Sequence, residues 1–162
     1  MKPQSKIDLP GITKLCSGKV REVFDLGDVL LFVVTDRLSA FDVVLPDPIP
    51  DKGAVLNQIS AFWFNRLTFA PNHFITATFA DFPSRLQPLR EQLAGRSMVV
   101  RKAKPLPVEC GVRGYRAGSG WKDYQTTGAV RRQQLPARCH PAAELPQPLL
   151  PPAPPDAQPT TP

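Results

Sequence analysis

Proline placement is the strongest constraint on what this chain can fold into. Ten of its twenty prolines fall in residues 131–162, and the other ten are spread over the first 130 residues. Proline fixes φ and removes a backbone N–H, so a segment this rich in it cannot build a helix interior or a central strand. The same segment holds no aromatic residue and no lysine, and it carries the pairs Pro151-Pro152 and Pro154-Pro155. Composition of this kind predicts a polyproline-like, disordered tail over 131–162. Two other readings of the tail stand beside that one. It could be a ligand for SH3-type domains, or an out-of-frame continuation after Val130, where Arg, Ala, Gln and Pro rise abruptly.

Residues 1–130 read as globular. Hydrophobic residues make up 42% and charged residues 21% of the whole chain, an ordinary soluble balance. From Lys19 to Asp25 polar and apolar residues alternate, which indicates a half-buried strand. Gly27-Asp28 is a turn. Val29 to Val34 is a short run of β-formers that predicts a buried strand pairing with the first as a hairpin. Val43-Val44-Leu45 reads as a short strand closed by Pro46, Pro48 and Pro50. Val55, Leu56, Ile59, Phe62, Trp63, Phe64 and Leu67 recur near a 3.6-residue period within a Gly- and Pro-free stretch from Ala54 to Ala70. They predict a helix ended by Pro71, with Trp63 and Phe64 in the core. His73 to Phe79 reads as a strand. Arg85 to Leu93 reads as an interrupted helical segment ending at Gly95, and Ser97 to Ala103 as a strand. Gly120 to Thr126 reads as the start of a helix, with Ser119 as N-cap and Gly128 beyond its end.

Net charge is +6. That suits nucleic acid or phosphorylated small molecules equally, but no block of five basic residues supports a nucleic-acid tail. Three cysteines at unpatterned spacing form neither a disulfide framework nor a zinc motif, and only two histidines are available for a metal. No signal peptide or membrane span is predicted, so the expected location is the cytoplasm.

Four stretches could carry chemistry. Ser17-Gly18-Lys19-Val20-Arg21 could lay backbone N–H groups and an ammonium on nucleotide phosphates, or it could be a plain turn with exposed Lys19 and Arg21. It is not a Walker A loop, which needs a longer glycine spacing and a following helix. Asp36, Arg37, Ser39 and Asp42 could bind a polar substrate, or Asp36 could simply cap an Asx turn. Lys102 and Lys104, read as alternating on one strand face, could neutralise a triphosphate or form a polar edge. Pro107 to Gly120 mixes Glu109, Arg113, Arg116, Ser119 and four glycines. It is either an anion-binding segment or a glycine-rich turn with solvated arginines.

Taken in order, Leu15 to Asp42, Asp51-Lys52-Gly53 with the following helix, and Arg96 to Gly128 resemble the SAICAR synthetase family over roughly residues 11–130. The run Pro-Val-Glu…Val-Arg-Gly-Tyr-Arg-Ala-Gly-Ser is similar to a family signature. The resemblance implies an α+β fold with an N-terminal antiparallel-sheet lobe, a larger second lobe and ATP in a kinase-like cleft between them. It implies an ATP-dependent ligase of purine biosynthesis that joins L-aspartate to carboxyaminoimidazole ribotide through an acyl phosphate, with Mg2+ on the phosphates. By position it implies that Gly18, Lys19, Arg21, Lys102, Lys104 and Glu109 bind ATP. Arg113 and Ser119 would hold the ribotide phosphate, and Asp36, Arg37, Ser39 and Asp42 would line the substrate end. Partners are then small molecules, with no nucleic acid and no membrane.

The resemblance divides the chain into a nucleotide-binding lobe, 1–106, the start of a substrate lobe, 107–130, and the proline-rich tail, 131–162. Family members continue with a Thr-Pro-x-Thr-Lys run, a His-Asp-Glu-Asn motif and acidic magnesium ligands that this chain lacks. Glu144 to Leu150 is only faintly similar to the family's Leu-Pro-x-Pro-Leu-Phe, and Gly111 stands where an apolar strand residue is expected. The chain is therefore expected to be truncated or frameshifted and inactive, with a residual ATP-binding lobe as the alternative function.

Overall fold

The computed structural model describes residues 3–40, 43–107, 109–110, 113–115, 119–130, 133–134, 140, 144–149 and 152–153. It divides into two compact units, Met1–Lys104 and Pro105–Pro162. The fold is α+β.

The first unit is built on an antiparallel sheet. Its strands are β1 (Lys14–Ser17), β2 (Arg21–Asp25), β3 (Val29–Val34), β6 (Phe74–Thr76) and β7 (Ser97–Arg101), in the order β1-β2-β3-β7-β6. The predicted hairpin is β2–β3, in register from Arg21 opposite Val34 to Asp25 opposite Leu30. Gly27 makes its turn with φ of 97°, a conformation that glycine adopts without strain. A separate two-stranded ribbon pairs β4 (Ser39–Ala40) with β5 (Val43–Val44).

Both faces of the sheet are covered, for different reasons. Phe24, Leu31, Val33 and Val99 point into the main core against Ile7 and Leu9 from the N-terminal segment and Phe79, Phe82, Leu86 and Leu93 from the connection before β7. That connection is a 3-10 turn at Phe79–Asp81, a second at Ser84–Leu89 with Pro88 inside it, and α2 (Arg90–Leu93). The alternate residues of β7, Met98 and Val100, are also buried. They lie on the opposite face, against which α1 (Lys52–Arg66) packs. Phe64 of α1 stacks on Phe74 and meets His73 edge-on, with ring centres 5.6 and 5.0 Å apart. A strand buried on both faces reads as the continuous apolar run seen at Met98-Val99-Val100.

Several expectations change in the structure. The helix face Val55, Leu56, Ile59, Phe62, Trp63 and Leu67 is exposed, and Trp63 is not core. What α1 buries is Gly53 and Asn57, with Phe64 half-buried. Asn57 Nδ2 donates to the carbonyls of Gly95 and Ser97, so the helix is attached by hydrogen bonds on its less apolar side. The helix ends at Arg66, short of Pro71, because Asn72 Nδ2 donates to Phe64 O and takes up a terminal carbonyl. The strand at 73–79 shortens to β6 because the Thr76 hydroxyl accepts from Thr78 N–H and donates to Asp81, forming a turn. β7 stops at Arg101, so Lys102 and Lys104 do not alternate along a strand, and the residue before Pro105 is steered away from a regular ladder.

In the second unit, β8 (Glu109–Cys110) pairs with β13 (Pro152–Ala153), and β9 (Arg113–Tyr115) pairs with β12 (Glu144–Leu149). α3 (Ser119–Thr127) begins at Ser119, one residue before the expected start, so Ser119 is its first helical residue and not its cap. Gly128 follows with φ of 68°, its N–H donating to Tyr124 O at 2.9 Å. β10 (Ala129–Val130) pairs with β11 (Gln133–Gln134). The strands β12 and β13 correct the expectation of a wholly disordered tail. Pro146 and Pro148 fall where the register with β9 is irregular, and two-stranded edge pairing tolerates a missing N–H. Among the described residues, no helix is long and apolar enough to cross a membrane.

Candidate functional site

The β1–β2 connection is a tight glycine turn. Gly18 N–H donates to Arg21 O at 2.7 Å, and Ser17 pairs with Glu22 across the strands. The carbonyls of this turn accept from within the hairpin and from the segment after β3. Thr35 gives Val20 O both its backbone N–H, at 2.9 Å, and its hydroxyl, at 2.8 Å. Arg37 gives Nε to Lys19 O at 3.0 Å and Nη2 to Gly18 O at 2.7 Å. Its Nη1 donates to Ser5 O and to Glu22 Oε1, both at 2.7 Å.

Glu22 shares the buried face of β2 with Phe24 and is 1% exposed. Its carboxylate is paired with Arg37, and Lys14 Nζ lies 3.7 Å from Oε2. Lys14 is itself anchored to Ile7 O. Arg21 takes the opposite side of β2, its guanidinium 4.5 Å from the centre of the Phe32 ring. The His73 ring lies near the Phe32 ring, with centres 5.8 Å apart. Burial, with the Arg21 charge adding to it, holds the His73 pKa below the ordinary histidine value.

Asp36 is the second hub. Its Oδ1 accepts from Arg96 Nη1 and from Gly53 N–H, each at 2.9 Å, and its Oδ2 accepts from Gln4 N–H at 2.7 Å. The carboxylate is wholly out of solvent. Burial alone would raise its pKa. The Arg96 bond, the two backbone N–H groups and the Arg96 charge outweigh that and hold it below the usual carboxylate range. Asp36 thereby ties the N-terminal segment, the first turn of α1 and the entrance to β7 into one frame. Lys52 Nζ adds a bond to Arg37 O.

The sequence-predicted residues divide accordingly. Gly18, Lys19 and Arg21 form the turn and its edge. Arg37 reaches the turn from beneath as a support, and Asp36, next to it in sequence, is engaged by Gln4, Gly53 and Arg96. The Asp36 carboxylate and the Arg37 guanidinium are thus both held by protein partners. Ser39 lies half-buried in β4, and Asp42 lies outside the described residues. Lys102 pairs with Asp25 at 2.8 Å, beside the Gly27 end of the hairpin and away from the glycine turn. That bond, then the Gly27 N–H, lowers the Asp25 pKa against a small opposing effect of burial. Lys104 is exposed and closes the first unit. Glu109, Arg113 and Ser119 belong to the second unit, in β8, β9 and at the start of α3.

Glu22 and Thr35 are not singled out by sequence reasoning, and Gly53 and Arg96 enter it only as members of the stretches that carry the resemblance. Glu22 leaves one signal, a carboxylate two residues from Phe24 on the same strand face. The described carboxylates of β2 and of the segment after β3 do not fit a magnesium site. Glu22 is held by Arg37, Asp36 by Arg96 and Asp25 by Lys102.

Comparison with known proteins gives a consistent result. The family model described as SAICAR synthetase matches residues 14–158. The phosphoribosylaminoimidazole-succinocarboxamide synthase of Trichlorobacter lovleyi is 51% identical over 152 residues, covering 93% of this chain and 51% of that protein. The solved SAICAR synthase of Saccharomyces cerevisiae complexed with SAICAR is similar with a TM-score of 0.87 and 36% identity, covering 95% of this chain and 55% of that one. A SAICAR synthetase in complex with ADP, at TM-score 0.60 and 22% identity over 83% of this chain and 47% of its own, shares the fold. The chain spans about half the length of the relatives it matches. The family match runs through residue 158, so most of the proline-rich segment falls within the matched region.

Proposed function

The chain belongs to the SAICAR synthetase family, and we propose that its first unit is the ATP-binding half of a SAICAR-forming ligase. The observation that carries this reading is the Gly18–Val20 turn, closed by the Gly18–Arg21 bond and held from below by Arg37 and Thr35. A rigid glycine turn with a lysine at its tip can approach phosphate oxygens closely and meet them with N–H dipoles and a cation. Lys19 and Arg21 then neutralise the triphosphate. By family position Lys102 and Lys104 of the first unit are assigned to the nucleotide. In the second unit Arg113 supplies a planar fork for the ribotide phosphate, and Ser119, at the start of α3, supplies a neutral donor with the helix N–H groups. Ser39 and Asp42 keep their assignment to the substrate end, whereas Asp36 and Arg37 act as supports.

The reaction proposed for the whole enzyme balances as follows. An oxygen of the carboxyaminoimidazole ribotide carboxylate bonds to the γ-phosphorus of ATP, and ADP leaves. The amine of L-aspartate attacks the acyl carbon, inorganic phosphate leaves with the oxygen, and the nitrogen sheds a proton to give the amide. Mg2+ would neutralise the phosphates. Such a reaction needs positioning and charge neutralisation more than acid–base groups, which agrees with a site made of Lys, Arg and backbone donors.

The 162-residue chain by itself is proposed to bind ATP without completing the ligation, because the described carboxylates of β2 and of the segment after β3 are committed to cations. Calorimetric titration with ATP tests this directly. Saturable binding that Lys19→Ala weakens supports the reading, and no binding at millimolar ATP removes it. Turnover of ribotide, aspartate and ATP at the rate of a full-length relative would overturn the proposed inactivity.

A further inference from the structure

We propose that Arg37 is a positioning residue for the glycine turn: it fixes the turn's peptide planes so that their N–H groups face an anion, and buried Glu22 fixes Arg37. The inference rests on the reading of the turn as a phosphate-binding element and supplies the reason it is built in advance of the ligand.

In a trans peptide the C=O of one residue and the N–H of the next point in opposite directions. No peptide bond described in this chain is cis. The carbonyls of Gly18 and Lys19 converge on a single guanidinium. The N–H groups of Lys19 and Val20 must therefore be directed away from it. The guanidinium sits beside Glu22 on the buried face of β2, whereas Arg21 belongs to the opposite face. The two N–H dipoles are thus aimed off the buried face, in the arrangement that makes backbone concavities attract anions. The third carbonyl, of Val20, is locked by Thr35, so the turn cannot relieve its alignment by rotating the next plane.

The choice of residues follows from the geometry. Four acceptors on three chain segments surround one side chain: Ser5 O, Gly18 O, Lys19 O and Glu22 Oε1. Only a planar, five-donor fork meets such a set, and a lysine cannot. Three carbonyl dipoles turned toward the guanidinium would not by themselves fix its rotation. The Glu22 carboxylate does, and its burial is tolerable only with that partner in place. Because the Arg37 charge is neutralised by Glu22, its contribution to ligand binding is geometric and not a direct attraction to phosphate.

Arg37→Lys, Arg37→Ala and Lys19→Ala in the full 162-residue chain test this, with ATP and inorganic tripolyphosphate as probes at several salt concentrations. Each Arg37 variant is expected to bind both probes about tenfold or more weakly, the order of a lost set of charge-assisted hydrogen bonds. The salt dependence is expected to stay as in the wild type, whereas Lys19→Ala should lower both affinity and salt dependence. Amide exchange at Lys19 and Val20 without ligand should accelerate in the Arg37 variants, and millimolar methylguanidinium should restore Arg37→Ala where ammonium does not. Wild-type affinity in Arg37→Lys, alongside a weakened Lys19→Ala, overturns the inference and leaves the ATP reading standing. If the wild type binds neither probe, the ATP reading fails, and unchanged exchange at Lys19 and Val20 in Arg37→Lys overturns the positioning role independently. Arg37→Lys keeps the charge and serves where Arg37→Ala does not fold.

Discussion

Asp36 and Arg96 form an ion pair of 2.9 Å whose side chains are 0% and 5% exposed. The pair joins the segment after β3 to the entrance of β7, sixty residues apart in sequence. Removing one partner of such a pair leaves the other charge buried and uncompensated. Asp36→Ala should therefore destabilise the fold by about 3–5 kcal/mol, read as a lower urea midpoint. The double replacement Asp36→Leu with Arg96→Met should cost less than the single one, because it strands no charge. A single variant milder than the double would contradict the hub assigned to this pair.

Gly53 sets the distance between α1 and β3. A Cβ placed on it would lie 2.3 Å from Val34 O and 2.9 Å from Thr35 O, both backbone atoms. Its own N–H reaches Asp36. Gly53→Ala cannot be absorbed by a rotamer change, so the helix must lift, which overpacking data put at about 1–3 kcal/mol. The lift also pulls on Asp36 and the neighbouring turn supports. Thermal unfolding checks the cost, and ATP titration of the same variant should show weakened binding.

These two relationships show what could and could not be read from the sequence. The β2–β3 hairpin was legible because alternation from Lys19 and the β-former run at Val29–Val34 are local patterns. The existence of α1 was legible from its period, but not its orientation. Periodicity says which residues share a face, not what covers that face. Here Asn57 and Gly53 fix the helix through backbone bonds and close approach, and the Trp63 face is left open. The Asp36–Arg96 and Arg37–Glu22 pairs depend on contacts that no local pattern encodes. Arg37 read as a ligand because its residue type suits anions, while its position turns that same fork inward. Among the prolines of the tail, composition outweighed the faint similarity at Glu144 to Leu150, yet Glu144–Leu149 is β12.

Acidification should lower stability in two separate windows. His73 is held below its ordinary pKa by burial and the nearby Arg21, so the unfolded chain takes up its proton first. Its contribution is complete above the unfolded value of about 6.5 and is lost as pH falls below it toward the folded pKa. Asp36 is likewise depressed in the folded state, so its contribution is complete above an unfolded value of about 3.9 and lost as pH falls through the lower folded one. Melting temperature measured between neutral and strongly acid pH should fall in both regions. His73→Phe should flatten the upper region alone, and Asp36→Asn the lower one. A His73→Phe profile parallel to wild type throughout would show that the imidazole is not what titrates.

The open face of α1 should govern behaviour in solution. Val55, Leu56, Ile59, Phe62, Trp63 and Leu67 are 40–55% exposed, and Phe69 just beyond the helix is 86% exposed. Isolated apolar residues on a surface need no explanation, but a contiguous set along one helix invites association. The isolated chain should therefore bind a hydrophobic dye and scatter light more strongly as its concentration rises. Ile59→Lys with Phe62→Glu should reduce both signals. The unfolding midpoint should barely move, since surface substitutions away from special features fall within about 0.5 kcal/mol. The opposite result, a large loss of stability with no change in association, would mean that these side chains are packed in solution and that the helix buries its apolar face after all. The two readouts therefore separate an open face from a covered one.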